Sequence, residues 1–246
     1  MFDPDTDERS NSQDPEGIRS INSEDLRFLF VQFLFGLAAA EVAIQASDLF
    51  LKSNLIGTDA FWIQLVHLVF TLILISTSWV GWSNSSSSKN TGRVQSVFSR
   101  VFLVLILDVF LVALYYMLAR SSGLTGQDQR DQQELFLTVY WPTVIMVAIF
   151  AVYLVWDLVT KWPWGQGECK RIKVTALGLV MAGIVCLFLR DVNTVPKILL
   201  TYLALILIDL SFRGFKDPRA GGWKKCVSFA MGAGALASIL IAICLC

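Results

Sequence analysis

Seven runs of about twenty mostly apolar residues follow one another along this chain, at about 28–51, 60–82, 94–119, 135–160, 173–190, 196–212 and 225–246. A helix of that length crosses roughly 30 Å of hydrocarbon, and in lipid every backbone N–H and C=O has to be paired within the protein. The fold class this predicts is all-α: a polytopic membrane protein with about seven transmembrane helices. Composition agrees. The chain is 55% hydrophobic and 16% charged, where soluble domains hold about 45–50% and about 25%. The fifth and sixth runs are short and are separated only by RDVNTVPK (190–197). They read either as one re-entrant hairpin or as two crossings.

Charge favours two crossings. With the N-terminus in the cytoplasm, the outer bases are Lys52, Arg120, Arg130, Arg190 and Lys197, which leaves fifteen of the 20 Lys and Arg on the inner side. Cytoplasmic loops are the ones enriched in Lys and Arg, so this orientation is expected, with the C-terminus outside. Residues 1–27 carry eight acids against three arginines and read as an acidic, disordered cytosolic tail; residues 28–246 form the transmembrane domain. No cleavable leader is visible, so the first span serves as the address to an inner or plasma membrane. SNSSSSKNTG (83–92) reads as a flexible linker, whereas SSGLTGQDQRDQQE (121–134) is able to extend the fourth helix.

Polar residues inside the spans are the candidate site. In GLAAAEVAIQASDLFLKS, starting at Gly36, the residues Glu41, Gln45, Asp48 and Lys52 fall on one stripe at helical spacing. A charge at the bilayer centre costs at least about 2.5–3.5 kcal/mol, so that stripe is expected to face a cavity or a partner. The second span has its own stripe of Gln64, His67, Thr71 and Ser78. A short first loop makes spans one and two an antiparallel hairpin, which sets His67 within reach of Glu41 and Asp48. That grouping reads either as a structural hydrogen-bond network or as a hydrated path whose activity changes between about pH 5 and 8. Asp108, alone in VFLVLILDVFLVALYY, is a further path residue or the partner of a polar group on another span. Asp157 with Lys161 and Asp209 with Arg213 have the spacing of ordinary i,i+4 ion pairs at the interface. Tryptophans at the span ends, among them Trp62, Trp79, Trp82, Trp141 and Trp223, read as interfacial belts.

At the inner side, Lys170, Arg171, Lys173, Arg213, Lys216, Arg219, Lys224 and Lys225 form a basic face. It is expected to hold anionic lipid headgroups or a polyanionic or nucleotide ligand, with the acidic tail competing for it and with salt weakening the contact. The last span spaces Ala230, Gly234 and Ser238 every fourth residue, a row that lets a second helix come close, within the chain or from another copy.

Several classes are excluded or left without support. One histidine rules out multi-histidine metal centres, so no metal or cofactor is expected. No GxSxG elbow, phosphate-cradling glycine loop or paired intramembrane aspartate motif is present, and an enzyme is not expected. The five cysteines are scattered without a CxxC and read as apolar filler. The leading expectation is a homo-oligomeric ion channel or a small-solute or proton-coupled permeation protein, its path lined by spans one and two. The alternatives are a non-catalytic membrane anchor or assembly subunit, and a membrane effector gated by a cytosolic partner protein or polyanion.

Overall fold

A computed structural model of the chain describes residues 23–51, 56–86, 99–121, 132–160, 166–188, 194–217 and 221–244. Among them are seven helices: α1 (Ser23–Leu51), α2 (Asp59–Ser86), α3 (Arg100–Ser121), α4 (Gln132–Thr160), α5 (Gln166–Phe188), α6 (Val195–Lys216) and α7 (Gly222–Cys244). No strand occurs among the described residues. The tail up to residue 22 and the serine linker from 87 to 92 lie outside them.

Six of the helices are long and apolar enough to cross a membrane, which makes this a multi-pass membrane protein. The one outside that set is α5. It has 23 residues, ample length, but Glu168, Lys170, Arg171 and Lys173 crowd its first turns, and its mainly apolar part starts only at Val174. The sequence singled out two short runs; only α5 proves polar.

Local chemistry explains where helices start. Gly57 adopts φ 87° in the turn between α1 and α2, a conformation glycine takes at no steric cost. The next residue, Thr58, accepts the N–H of Phe61 on its hydroxyl at 3.3 Å, and Ser99 does the same for Phe102 at 3.2 Å before α3. Pro196 occupies the first turn of α6, where its missing N–H costs nothing, and Arg213 and Lys216 sit in the last turn, against the negative end of the helix dipole.

The contacts between side chains define the layout. Phe28 stacks on Trp82, with ring centroids 5.0 Å apart, and Phe50 meets Phe61 at 5.8 Å, so α1 and α2 run antiparallel. Tyr202 lies beside His67, Asp209 beside Thr77 and Arg213 beside Ser78, so α2 and α6 run parallel. α3 packs against α1 and α4, and α5 packs between α4 and α6, closing a ring of six helices in the order α1, α3, α4, α5, α6, α2. α7 docks against α6. Inside the ring lie Phe70, Tyr115, Met146, Phe150, Tyr202 and Leu205, all fully buried. Leu29, Phe33, Leu72, Phe110, Leu177 and Leu240 stay exposed, the apolar outer surface that lipid requires.

α7 and α6 come close because small residues face each other. A side chain at Gly214 would meet the hydroxyl of Ser228, and one at Gly232 would lie 3.1 Å from the hydroxyl of Ser211. Ser211 in turn donates to the carbonyl of Ser228 at 2.8 Å. Of the small-residue row, Gly234 meets Leu207 of α6 and Ser238 is buried, while Ala230 is exposed. The row packs mainly within the chain.

Candidate functional site

The polar stripe of α2 is fully interior: Gln64, His67, Thr71 and Ser78 are all buried. It meets α6 and α3. Nδ1 of His67 lies 2.9 Å from the hydroxyl of Tyr202, and Nε2 lies 2.9 Å from the carbonyl of Leu118 on α3, with the hydroxyl of Ser121 at 3.4 Å. A carbonyl can only accept, so Nε2 carries the hydrogen and Nδ1 accepts from Tyr202. Thr71 donates to the carbonyl of His67 one turn back, at 2.9 Å, keeping its hydroxyl satisfied within α2.

Eleven residues further along α2, four helices converge. Nη2 of Arg213 on α6 donates to the hydroxyl of Ser78 at 2.6 Å and to the hydroxyl of Tyr153 on α4. Tyr115 on α3 donates to Ser78 at 2.6 Å and also meets the hydroxyl of Tyr153. The guanidinium lies over the Tyr153 ring, 4.8 Å from its centroid. Gly81 permits this approach, since a Cβ there would fall 2.8 Å from Nη1 of Arg213. Asp209 sits one turn back on α6. Its Oδ2 accepts from Thr77 at 2.8 Å, and its Oδ1 lies 3.4 Å from Nε of Arg213, an ion pair in which neither facing atom has a hydrogen-bond partner among the described residues.

A second buried pair closes the ring between α4, α5 and α6. Asp157, fully buried, accepts from Nζ of Lys216 at 2.7 Å and from the hydroxyl of Thr175 at 2.5 Å, both on Oδ2. Nearby, Asp108 of α3 accepts from the indole N–H of Trp156 at 3.0 Å. Asp108 thus pairs with a polar group on another span.

These contacts revise the expected groupings. His67 is held by Tyr202, Leu118 and Ser121 rather than by Glu41 and Asp48. The α1 stripe lies away from this interior: Asp48 is exposed, and Glu41, half-buried, accepts from Gln45 at 2.9 Å one turn along its own helix. Lys52 lies outside the described residues. Asp157 pairs across the bundle with Lys216, whereas its expected partner, Lys161, lies outside the described residues. Asp209 and Arg213 form the expected i,i+4 pair, but deep inside. Arg213 and Lys216 therefore turn away from the basic face. Lys170, Lys173, Lys224 and Lys225 remain exposed on it, Arg171 is half-buried, and Arg219 lies outside the described residues. Lys224 reaches the carboxylate of Asp217 at 3.7 Å. Trp82 faces inward, while Trp62, Trp79, Trp141 and Trp223 are exposed as a belt requires.

Thr77, Tyr115, Tyr153, Thr175 and Tyr202 are the site members that periodicity did not pick out. Their hydroxyls inside apolar runs were the signal, because a buried tyrosine seeks a partner for its O–H. Among the described residues no cluster of metal-ligating side chains occurs, and the described cysteines are free. No protein-family model, curated protein or solved structure matches the chain.

Proposed function

We propose that the protein is a permeation protein that passes protons or small cations across the bilayer along the polar column between α2 and α6. The observation that carries this reading is the number and depth of the buried polar groups along that contact. From Gln64 to Ser78, at 1.5 Å per residue, buried polar groups extend over about 21 Å of a hydrocarbon layer roughly 30 Å thick. Ionisable groups at such depth are costly and mark ion or proton pathways. The interior acids Asp108, Asp157 and Asp209 favour cations, and linked hydroxyls and an imidazole are suited to relay protons. Homo-oligomerisation belongs to the same reading, since a second copy covering α1 would remove Glu41 and Asp48 from lipid. The exposed lysines suit anionic lipid or a polyanionic ligand, and no catalytic role is assigned.

The test is flux in liposomes holding the purified chain, with an internal pH dye and an imposed potential. Proton or cation flux above that of protein-free liposomes, falling at least about tenfold in Asp209→Asn, is expected. Flux equal to that of empty liposomes for protons, Na⁺ and K⁺ favours the second reading, a non-catalytic membrane anchor or assembly subunit. One observation speaks for that reading: His67, Thr77, Ser78 and Tyr115 all find partners within the chain, as groups that only bind helices together would.

A further inference from the structure

The ammonium of Lys216 sits in a box built by three helices. Its Nζ lies 2.7 Å from Oδ2 of Asp157 and 5.1, 5.7 and 5.9 Å from the ring centroids of Phe212, Tyr153 and Trp156. We propose that this box is a binding site for small organic ammonium ions, occupied at rest by Lys216 itself. Three ring faces and one carboxylate recognise an ammonium group, through cation–π attraction and a charge-assisted hydrogen bond. Hard metal cations want a shell of oxygen ligands instead, and among the described residues the box supplies only the Asp157 carboxylate and the Thr175 hydroxyl bound to it.

Two further observations point to an exchangeable occupant. Asp157 is fully buried, yet its Oδ1 has no hydrogen-bond partner among the described residues. An ammonium carries three N–H donors, so an amine free of the α6 backbone is able to bridge both carboxylate oxygens, which the tethered lysine does not. Lys216 also sits at the margin of the fold. It is the last residue of α6, its side chain is 19% exposed, and its flexible four-carbon stem lets the charge reach the surface. Arg213 and Arg171 add positive charge around the box, so a second cation enters only as Lys216 departs. The exchange is one for one.

This assignment deepens the permeation reading and rests on it for the fate of the bound amine, which would be the cation class that the path receives at its α6 end. Binding itself is tested separately, with n-butylammonium chloride titrated into the purified full-length chain against NaCl at equal ionic strength. Isothermal calorimetry and the thermal unfolding midpoint are the readouts. The parent is expected to bind the amine saturably and to ignore Na⁺. Lys216→Ala should tighten amine binding at least about tenfold by removing the competitor, and Lys216→Gln, which keeps most of the volume, should do the same should the alanine variant fail to fold. Asp157→Asn in either background should abolish it. No saturable binding by the parent, no tightening in either Lys216 variant, or binding that survives Asp157→Asn overturns the site. Amine binding without any flux leaves the site standing and refutes the path; flux without amine binding does the reverse.

Discussion

The hydroxyl of Tyr202 and Nδ1 of His67 meet at 2.9 Å across the contact between two parallel helices, α2 and α6. Because Nε2 of the same ring is held by the Leu118 carbonyl, one imidazole fixes three helices in register. Deleting the Tyr202 hydroxyl leaves a buried acceptor without a donor, which costs about 1–3 kcal/mol. Tyr202→Phe is therefore expected to lower unfolding stability in detergent by that amount. His67→Leu alone should also destabilise, and the double variant should cost clearly less than the sum of the two. Strict additivity in that cycle would show that the two side chains do not interact.

Arg213 is used as a fork. It donates to Ser78 and Tyr153 while its Nε faces Asp209. A lysine is a point charge on a flexible stem and cannot reach all three groups at once. Arg213→Lys should cost roughly 1.5–3 kcal/mol, the worth of a charged hydrogen bond. Arg213→Met should cost about 3–5 kcal/mol, because it leaves the buried Asp209 carboxylate uncompensated. Adding Asp209→Leu to Arg213→Met should recover most of that loss. Denaturant unfolding of the four proteins checks it, and a double variant no more stable than Arg213→Met would mean that Asp209 does not depend on the arginine.

Hydropathy made the helices legible, since a twenty-residue apolar run has few alternatives in lipid. The buried face of α2 was legible too: Gln64, His67, Thr71 and Ser78 recur at helical spacing and all lie inside. Which helix that face meets was not, because periodicity names a face and never its neighbour. Adjacency in sequence pointed to α1, and the ring closure placed α6 there instead. The same limit explains Asp157. Its nearest base in sequence is Lys161, yet the carboxylate is reached by Lys216, 59 residues on. Tyr115 and Tyr153 escaped for another reason: each reads as one more apolar residue until its hydroxyl is given a partner.

The two polar stripes make opposing claims on the path. Asp209 lies in the α2–α6 column, whereas Asp48 is exposed on α1. Flux in liposomes should therefore fall in Asp209→Asn and stay near the parent level in Asp48→Asn and Glu41→Gln, amides that keep size and hydrogen bonding while deleting charge. The reverse pattern, loss in the α1 variants with Asp209→Asn unaffected, would move the path to α1.

α7 is held to the ring through α6, and of the glycines in that contact Gly214 leaves the least room for a side chain. A methyl group there would collide with the side chain of Ser228, whose Cβ lies 3.0 Å from the position the methyl would occupy. The obstacle is a short side chain, so relief requires the Ser228 hydroxyl to turn away from the Lys224 carbonyl to which it donates, and the two helices to shift apart by a few tenths of an ångström. Overpacking of this kind typically costs about 1–3 kcal/mol. Separation would also strip the hydrogen bond from the Ser211 hydroxyl to the Ser228 carbonyl, 2.8 Å long in the native chain. Gly214→Ala is thus expected to lower the unfolding midpoint in detergent and to expose the α6–α7 seam to proteolysis. Ser228→Gly in the same chain removes both the hydroxyl and the Cβ that collide, and it should restore most of the loss despite the helix propensity that glycine gives up, about 1 kcal/mol. If Gly214→Ala is as stable as the parent, α7 does not pack on α6 at this distance. If Ser228→Gly fails to rescue it, the collision lies elsewhere along the helix pair.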